Sequence, residues 1–107
     1  QYRDKALELI TERLTILNQK YYRFKFNKIT IKNQKTRWGS CSKKRNLNFN
    51  YKILFLPQKI RDYIMIHELS HLKEFNHSTR FWNLVGKAIP NYIEIVNGLK
   101  LDGLNLL

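Results

Sequence analysis

All three histidines of this 107-residue chain fall in one stretch, His67-Glu68-Leu69-Ser70-His71-Leu72-Lys73-Glu74-Phe75-Asn76-His77. On an α-helix His67 and His71 stand at i and i+4, one turn apart on one face. That spacing lets two imidazoles hold one Zn²⁺ at about 2.0–2.1 Å each. A step of about 100° per residue puts Glu68 about 60° round from His71, beside the line of the two ligands. A carboxylate there can act as general base on a water at the open side of the metal.

A helix running on to His77 would carry that residue about 9 Å past His71, out of reach of a shared ion. The helix must therefore stop between Leu72 and Asn76, with Asn76 a fair residue for a left-handed C-terminal turn. Three nitrogens and one water make an open, catalytic kind of zinc site. The spacing H-E-x-x-H-x5-H is shared with metzincins, but Glu74 holds their glycine position and no methionine follows. Metzincin membership is disfavoured. An isolated H-E-x-x-H also arises by chance on a buried helix, and it is the third histidine that shifts the weight to zinc. Cys41 as a fourth ligand, closing a structural centre, is the competing arrangement, although closed sites more often carry several thiolates.

These residues need a scaffold, and the chain supplies one domain over 1–107 with 43% hydrophobic content. Residues 4 to 22 repeat Leu7, Ile10, Leu14, Leu17 and Tyr21 at helical spacing and read as a core-packing helix. From Phe24 the period becomes two: Phe24, Phe26, Ile29 and Ile31, then Leu47, Phe49 and Tyr51, alternate with polar residues. Residues 28 to 51 therefore read as an antiparallel hairpin or meander, with a turn at Lys43-Lys44-Arg45-Asn46. Pro57 opens a central helix to about Phe75, apolar on more than one side. Ser78 caps a third helix ended by Pro90, and Asn91 with Glu94 opens a last one that Gly98 closes. The tail from Leu101 to Leu107 is ambiguous.

Net charge is +12, and no Asp or Glu stands between Arg13 and Arg61. Lys43, Lys44 and Arg45 are the bunched cations a nucleic acid would meet. The remaining lysines are scattered, so compositional bias weighs slightly more than a polyanion surface. No apolar run approaches membrane-spanning length, no signal peptide is visible, and the lone Cys41 fits a reducing, cytoplasmic setting. A start at Gln rather than Met suggests a piece of a longer protein.

Three blocks together resemble the YgjP-like metal-dependent hydrolases, relatives of the SprT-like zinc metallopeptidases. They are Arg37-Trp38-Gly39-Ser40-Cys41-Ser42, then Asn46-Leu47-Asn48-Phe49-Asn50, and His67 to Lys73 with Asn76-His77-Ser78 and Phe81-Trp82. The resemblance implies a small zincin-like α+β fold: an N-terminal helix, a short antiparallel sheet, a central zinc-binding helix and C-terminal helices. It implies Zn²⁺ on His67, His71 and His77, Glu68 as catalytic base, and peptide or protein substrates. It also implies an additional N-terminal β-rich segment in the full-length protein. In zincins an edge strand beside the zinc helix pairs with the substrate, which points to Asn48, Phe49 and Asn50. Within the first block, Trp38 reads as core, and Arg37 either meets a carboxylate such as Glu74 or fixes the turn. Phe81, Trp82 and Tyr92 read as core. The leading expectation is a zinc-dependent peptidase, and the alternative is a basic nucleic-acid-associated module with a structural zinc.

Overall fold

The computed structural model describes residues 2–101. Helix α1, Tyr2–Tyr21, leads to strands β1, Lys28–Lys32, β2, Gly39–Cys41, and β3, Asn46–Asn50. A 3-10 turn, Tyr51–Phe55, precedes α2, Gln58–His71, α3, Thr79–Ala88, and α4, Tyr92–Leu101. This is an α+β fold. The tail beyond Leu101 lies outside the described residues.

Helix α2 is central because Tyr63 to Ser70 are all buried, apolar or not. An all-round buried helix needs neighbours on every side, and α1, α3, α4 and β2 all pack against it. Helix α1 buries Ala6, Ile10, Leu14 and Leu17, while Leu7 is 40% exposed. The stripe thus runs through the small Ala6, which lets the helix approach the core closely. Arg13 on its flank grips Asp62 of α2 with two bonds of 2.9 and 3.0 Å.

The sheet departs from the expected antiparallel meander. Its order is β1-β3-β2, with β1 parallel to β3 and β2 antiparallel to it. The reason lies in what each strand can bury. β3 carries Leu47 and Phe49, 0% and 1% exposed, and takes the centre. Gly39-Ser40-Cys41 has little apolar surface and takes the edge. Phe24 and Phe26 pack against the core but precede the strand, which starts at Lys28.

Buried Asn50 secures the loop between β1 and β2. Its side-chain amide donates to the carbonyls of Gln34 and Arg37, and its Oδ1 accepts from Lys52 N–H. The β2–β3 turn rests on Arg45, whose φ of 66° lies in the left-handed region. Its guanidinium donates to the Lys25 carbonyl at 2.9 Å and to the Leu72 carbonyl at 3.1 Å. One side chain thereby ties the turn to the chain before β1 and to the end of α2.

Helix α4 runs through Gly98 to Leu101, past the expected stop. Among the described residues, no helix is long and apolar enough to cross a membrane.

Candidate metal centre

Helix α2 ends where the metal geometry requires. Leu72 N–H reaches back to the Leu69 carbonyl, and Lys73 and Glu74 N–H both return to Ser70. This tightening of the last turn satisfies main-chain groups and stops the helix. Asn76 is not left-handed; among non-glycine described residues only Arg23 and Arg45 have positive φ. The chain comes back through 72–78, and Ser78 then caps α3 by accepting from Phe81 N–H.

The return brings His77 over the other two histidines. One nitrogen from each of His67, His71 and His77 lies within 4.8 Å of the others. The Nε2 atoms of His71 and His77 are 3.1 Å apart. Two nitrogens on one tetrahedral zinc at about 2.0–2.1 Å stand roughly 3.3 Å apart, so the pair is already close to ligand spacing. The Glu74 carbonyl lies 3.0 Å from His71 Nδ1 and can only accept, so Nδ1 carries the proton. The Nε2 lone pair is left facing His77, which is how outer partners orient metal-binding imidazoles. The His71 pKa is pushed down by burial first and by His67 second. That of His77 is pushed down by burial, then by His67 and His71. Neutral imidazole, the form that binds metal, is therefore favoured at both.

Phe81 is the floor of this cluster. It is fully buried, and its ring centroid stands 5.0, 4.5 and 4.9 Å from those of His67, His71 and His77. Trp82 stacks beside His77 and on Tyr92. The reading as core holds for Phe81, which packs on all three imidazoles, while Trp82 and Tyr92 are partly buried against the core.

Glu68 is 2% exposed, with Oε2 3.3 Å from His67 Nδ1 and Oε1 buried without a protein partner. A buried carboxylate oxygen left without a donor is costly, and this one belongs to a side chain lining a cavity of about 450 Å³ together with the three histidines. The donor set is three imidazoles beside a carboxylate that still has an acceptor to satisfy, and it fits a catalytic divalent metal. Cys41 lines the same cavity but does not belong to the ligand cluster. Burial, and then the charge of Glu68, push its thiol up to about 11.

The pairing expected at Asn48, Phe49 and Asn50 is corrected. These residues lie in the central strand with β1 on one side and β2 on the other, and Phe49 and Asn50 are buried. The strand beside α2 with a free edge is β2. Asn50 N–H donates to the Trp38 carbonyl and Ser42 N–H to the Asn46 carbonyl. By antiparallel alternation Ser40 also faces β3, and the main-chain N–H and C=O of Gly39 and Cys41 point outward. Gly39 and Cys41 line the histidine cavity as well.

Arg37 is exposed at this cavity and makes no ion pair with Glu74. Trp38 is buried. All three bunched cations are exposed, and Arg45 directs three of its N–H donors to main-chain carbonyls. Arg45 thus also serves the turn.

No curated protein sequence matches the chain significantly. Its fold is similar to the crystal structure of the metallopeptidase zymogen abylysin of Pyrococcus abyssi. The TM-score is 0.67 at 25% identity, covering 85% of this chain and 95% of that one. It is also similar to the metallopeptidase zymogen jannalysin of Methanocaldococcus jannaschii. There the TM-score is 0.58 at 26% identity, covering 88% and 96%. The YgjP-like metallopeptidase domain model matches residues 1–101, and the chain belongs to that metallopeptidase family.

Proposed function

We propose that the domain is a zinc-dependent peptidase in which His67, His71 and His77 hold the ion and Glu68 is the general base. One observation carries the reading: three imidazole nitrogens within 4.8 Å of one another share a cavity with a buried, half-satisfied carboxylate. When bound, Zn²⁺ supplies a Lewis acid for the scissile carbonyl and makes water a better nucleophile at neutral pH. The outward N–H and C=O groups of Gly39 and Cys41 pair with an extended peptide and hold its carbonyl over the histidines. Glu68 takes a proton from the attacking water as the new C–O bond forms. It then passes that proton to the amide nitrogen as the C–N bond breaks. Burial of Glu68 strengthens both transfers by keeping bulk water from screening them.

The test is Glu68→Gln in zinc-loaded protein on extended peptides. The amide keeps the shape and removes the base, so turnover should fall by roughly 10²–10⁴-fold with metal content unchanged. Unchanged turnover in the variant would remove Glu68 from the mechanism.

A further inference from the structure

The histidine cavity continues into a second one of about 300 Å³, the two sharing Cys41, His71 and Phe75. Together they form a groove along the free edge of β2. Arg37 lines one cavity, ahead of β2, while Lys43, Arg45 and Lys73 line the other, beyond it. At most about 20 Å of chain separates Arg37 from Lys43, counting six residues at 3.3–3.4 Å each. Among the described residues, Glu68 is the one carboxylate lining either cavity, and it is buried. Arg37, Lys43 and Lys73 are exposed and enter no ion pair among the described residues. A chain of net charge +12 adds a long-range field of the same sign.

We propose that this groove selects acidic peptides, with Arg37 receiving a carboxylate on one side of the scissile bond and Lys43 with Lys73 receiving one on the other. The inference rests on the peptidase reading and adds the substrate class to it. A planar guanidinium at the mouth of the cavity suits a carboxylate held in two parallel bonds. The paired lysines act as less directional point charges. Arg45 adds charge, with three of its N–H donors directed to the Lys25 and Leu72 carbonyls. An extended peptide paired with Gly39 and Cys41 puts alternate side chains on one face. The matching carboxylates therefore fall within about three residues of the bond on each side.

The experiment uses the zinc-loaded chain and three peptides of one length carrying Glu, Gln or Lys at those flanking positions. Each is made with a free and with an amidated C-terminus. Cleavage is read as kcat/KM, and binding as fluorescence anisotropy on zinc-loaded Glu68→Gln. The Glu peptides should bind and be cut roughly three- to tenfold better than the Gln peptides, the scale of an exposed two-bond ion pair. The Lys peptides should do worst, and the spread should shrink as salt rises. Arg37→Glu should lower the Glu-to-Lys selectivity ratio; because Arg37 is exposed, a thermal melt checks that the fold survives. A Glu-over-Gln preference in both forms identifies side-chain carboxylates, whereas a loss on amidation that is equal for all three peptides, with no Glu-over-Gln preference, identifies the terminal carboxylate and overturns the inference. Equal binding and cleavage of Glu and Gln peptides in both forms overturns the inference and leaves the peptidase reading standing. Preferential binding of Glu peptides with no cleavage of any peptide does the reverse.

Discussion

Gly39 lies against Glu68 so closely that a Cβ on residue 39 would stand 3.1 Å from Glu68 Cγ and 3.2 Å from its Oε2. The same Cβ would meet the Asn48 carbonyl oxygen at 3.2 Å. The glycine in the edge strand is thus matched to the carboxylate of Glu68 on the helix. In Gly39→Ala the sheet carbonyl is fixed, so the carboxylate must give by a few tenths of an ångström. Peptide turnover should fall roughly ten- to hundredfold, as expected when a reacting group is displaced. Zinc content should stay at wild-type level, because the three atoms nearest the new methyl belong to Glu68 and Asn48 and none to a histidine. Full activity in Gly39→Ala would show that the carboxylate position is not critical.

Metal loading should separate the three clustered histidines by their share in the fold. His77 is exposed and sits on the return loop, while His67 is buried inside α2. His77→Ala should therefore keep the metal-free melting temperature and lose zinc affinity by more than the 10–100-fold typical of an outer-shell change. In wild type, free zinc at a hundred times Kd adds about 2.7 kcal/mol, or roughly 10 °C or more in Tm for a domain of this size. Calorimetry with and without chelator reads both effects. Equal zinc-induced shifts in wild type and His77→Ala would remove His77 from the ligand set.

The parts legible in the sequence are those that depend on local geometry. His67 and His71 follow from helix spacing alone, and His77 from the requirement that the helix stop early. Ser78 as a cap follows from its own side-chain chemistry. Strand neighbours are another matter. Alternation in Asn46-Leu47-Asn48-Phe49-Asn50 tells which side chains are buried, but not which strand lies alongside. The parallel β1–β3 pairing is therefore invisible there, and the sheet edge beside α2 lies one strand away from where the sequence puts it. Asn50 misleads for a related reason: by period it should face solvent, yet it is 4% exposed and holds the Gln34 and Arg37 carbonyls. The contact between Gly39 and Glu68 joins residues far apart in sequence. Its one local signal is a glycine set between Trp38 and Ser40.

Cys41 gives a pH-dependent reading of Glu68. Burial and the carboxylate charge together hold the thiol near 11, above its usual range near 8.5. Since the thiolate is the reacting form, alkylation by iodoacetamide should be slow at pH 8 and rise steadily toward pH 11. Removing the negative charge in Glu68→Gln lowers the cost of forming a thiolate, so the rate at pH 8 should increase. The same zinc content in Cys41→Ser, and no sulfur-to-metal band in the cobalt form, would agree with an all-histidine site. A thiol alkylated at pH 8 as fast as a free cysteine would contradict the burial and the carboxylate effect together.

Arg45 tests whether the basic turn is built for the fold or for a polyanion. Its left-handed φ of 66° is uncommon for a residue with a side chain and costs about 1 kcal/mol. Its guanidinium bonds to Lys25 and Leu72 offset that cost and join the β2–β3 turn to the end of α2. Arg45→Ala keeps the backbone cost and loses the bonds. It should destabilise by about 1–2 kcal/mol, roughly 5–10 °C in Tm. Arg45→Gly relieves the backbone and should recover part of the loss. Lys43→Ala and Lys44→Ala remove exposed charges with no bonds to the fold, and should change stability by less than about 0.5 kcal/mol. Thermal melts of the four variants decide the matter. If Arg45→Ala melts with the wild type while Lys43→Ala and Lys44→Ala do so too, the bonds to Lys25 and Leu72 do not hold the turn.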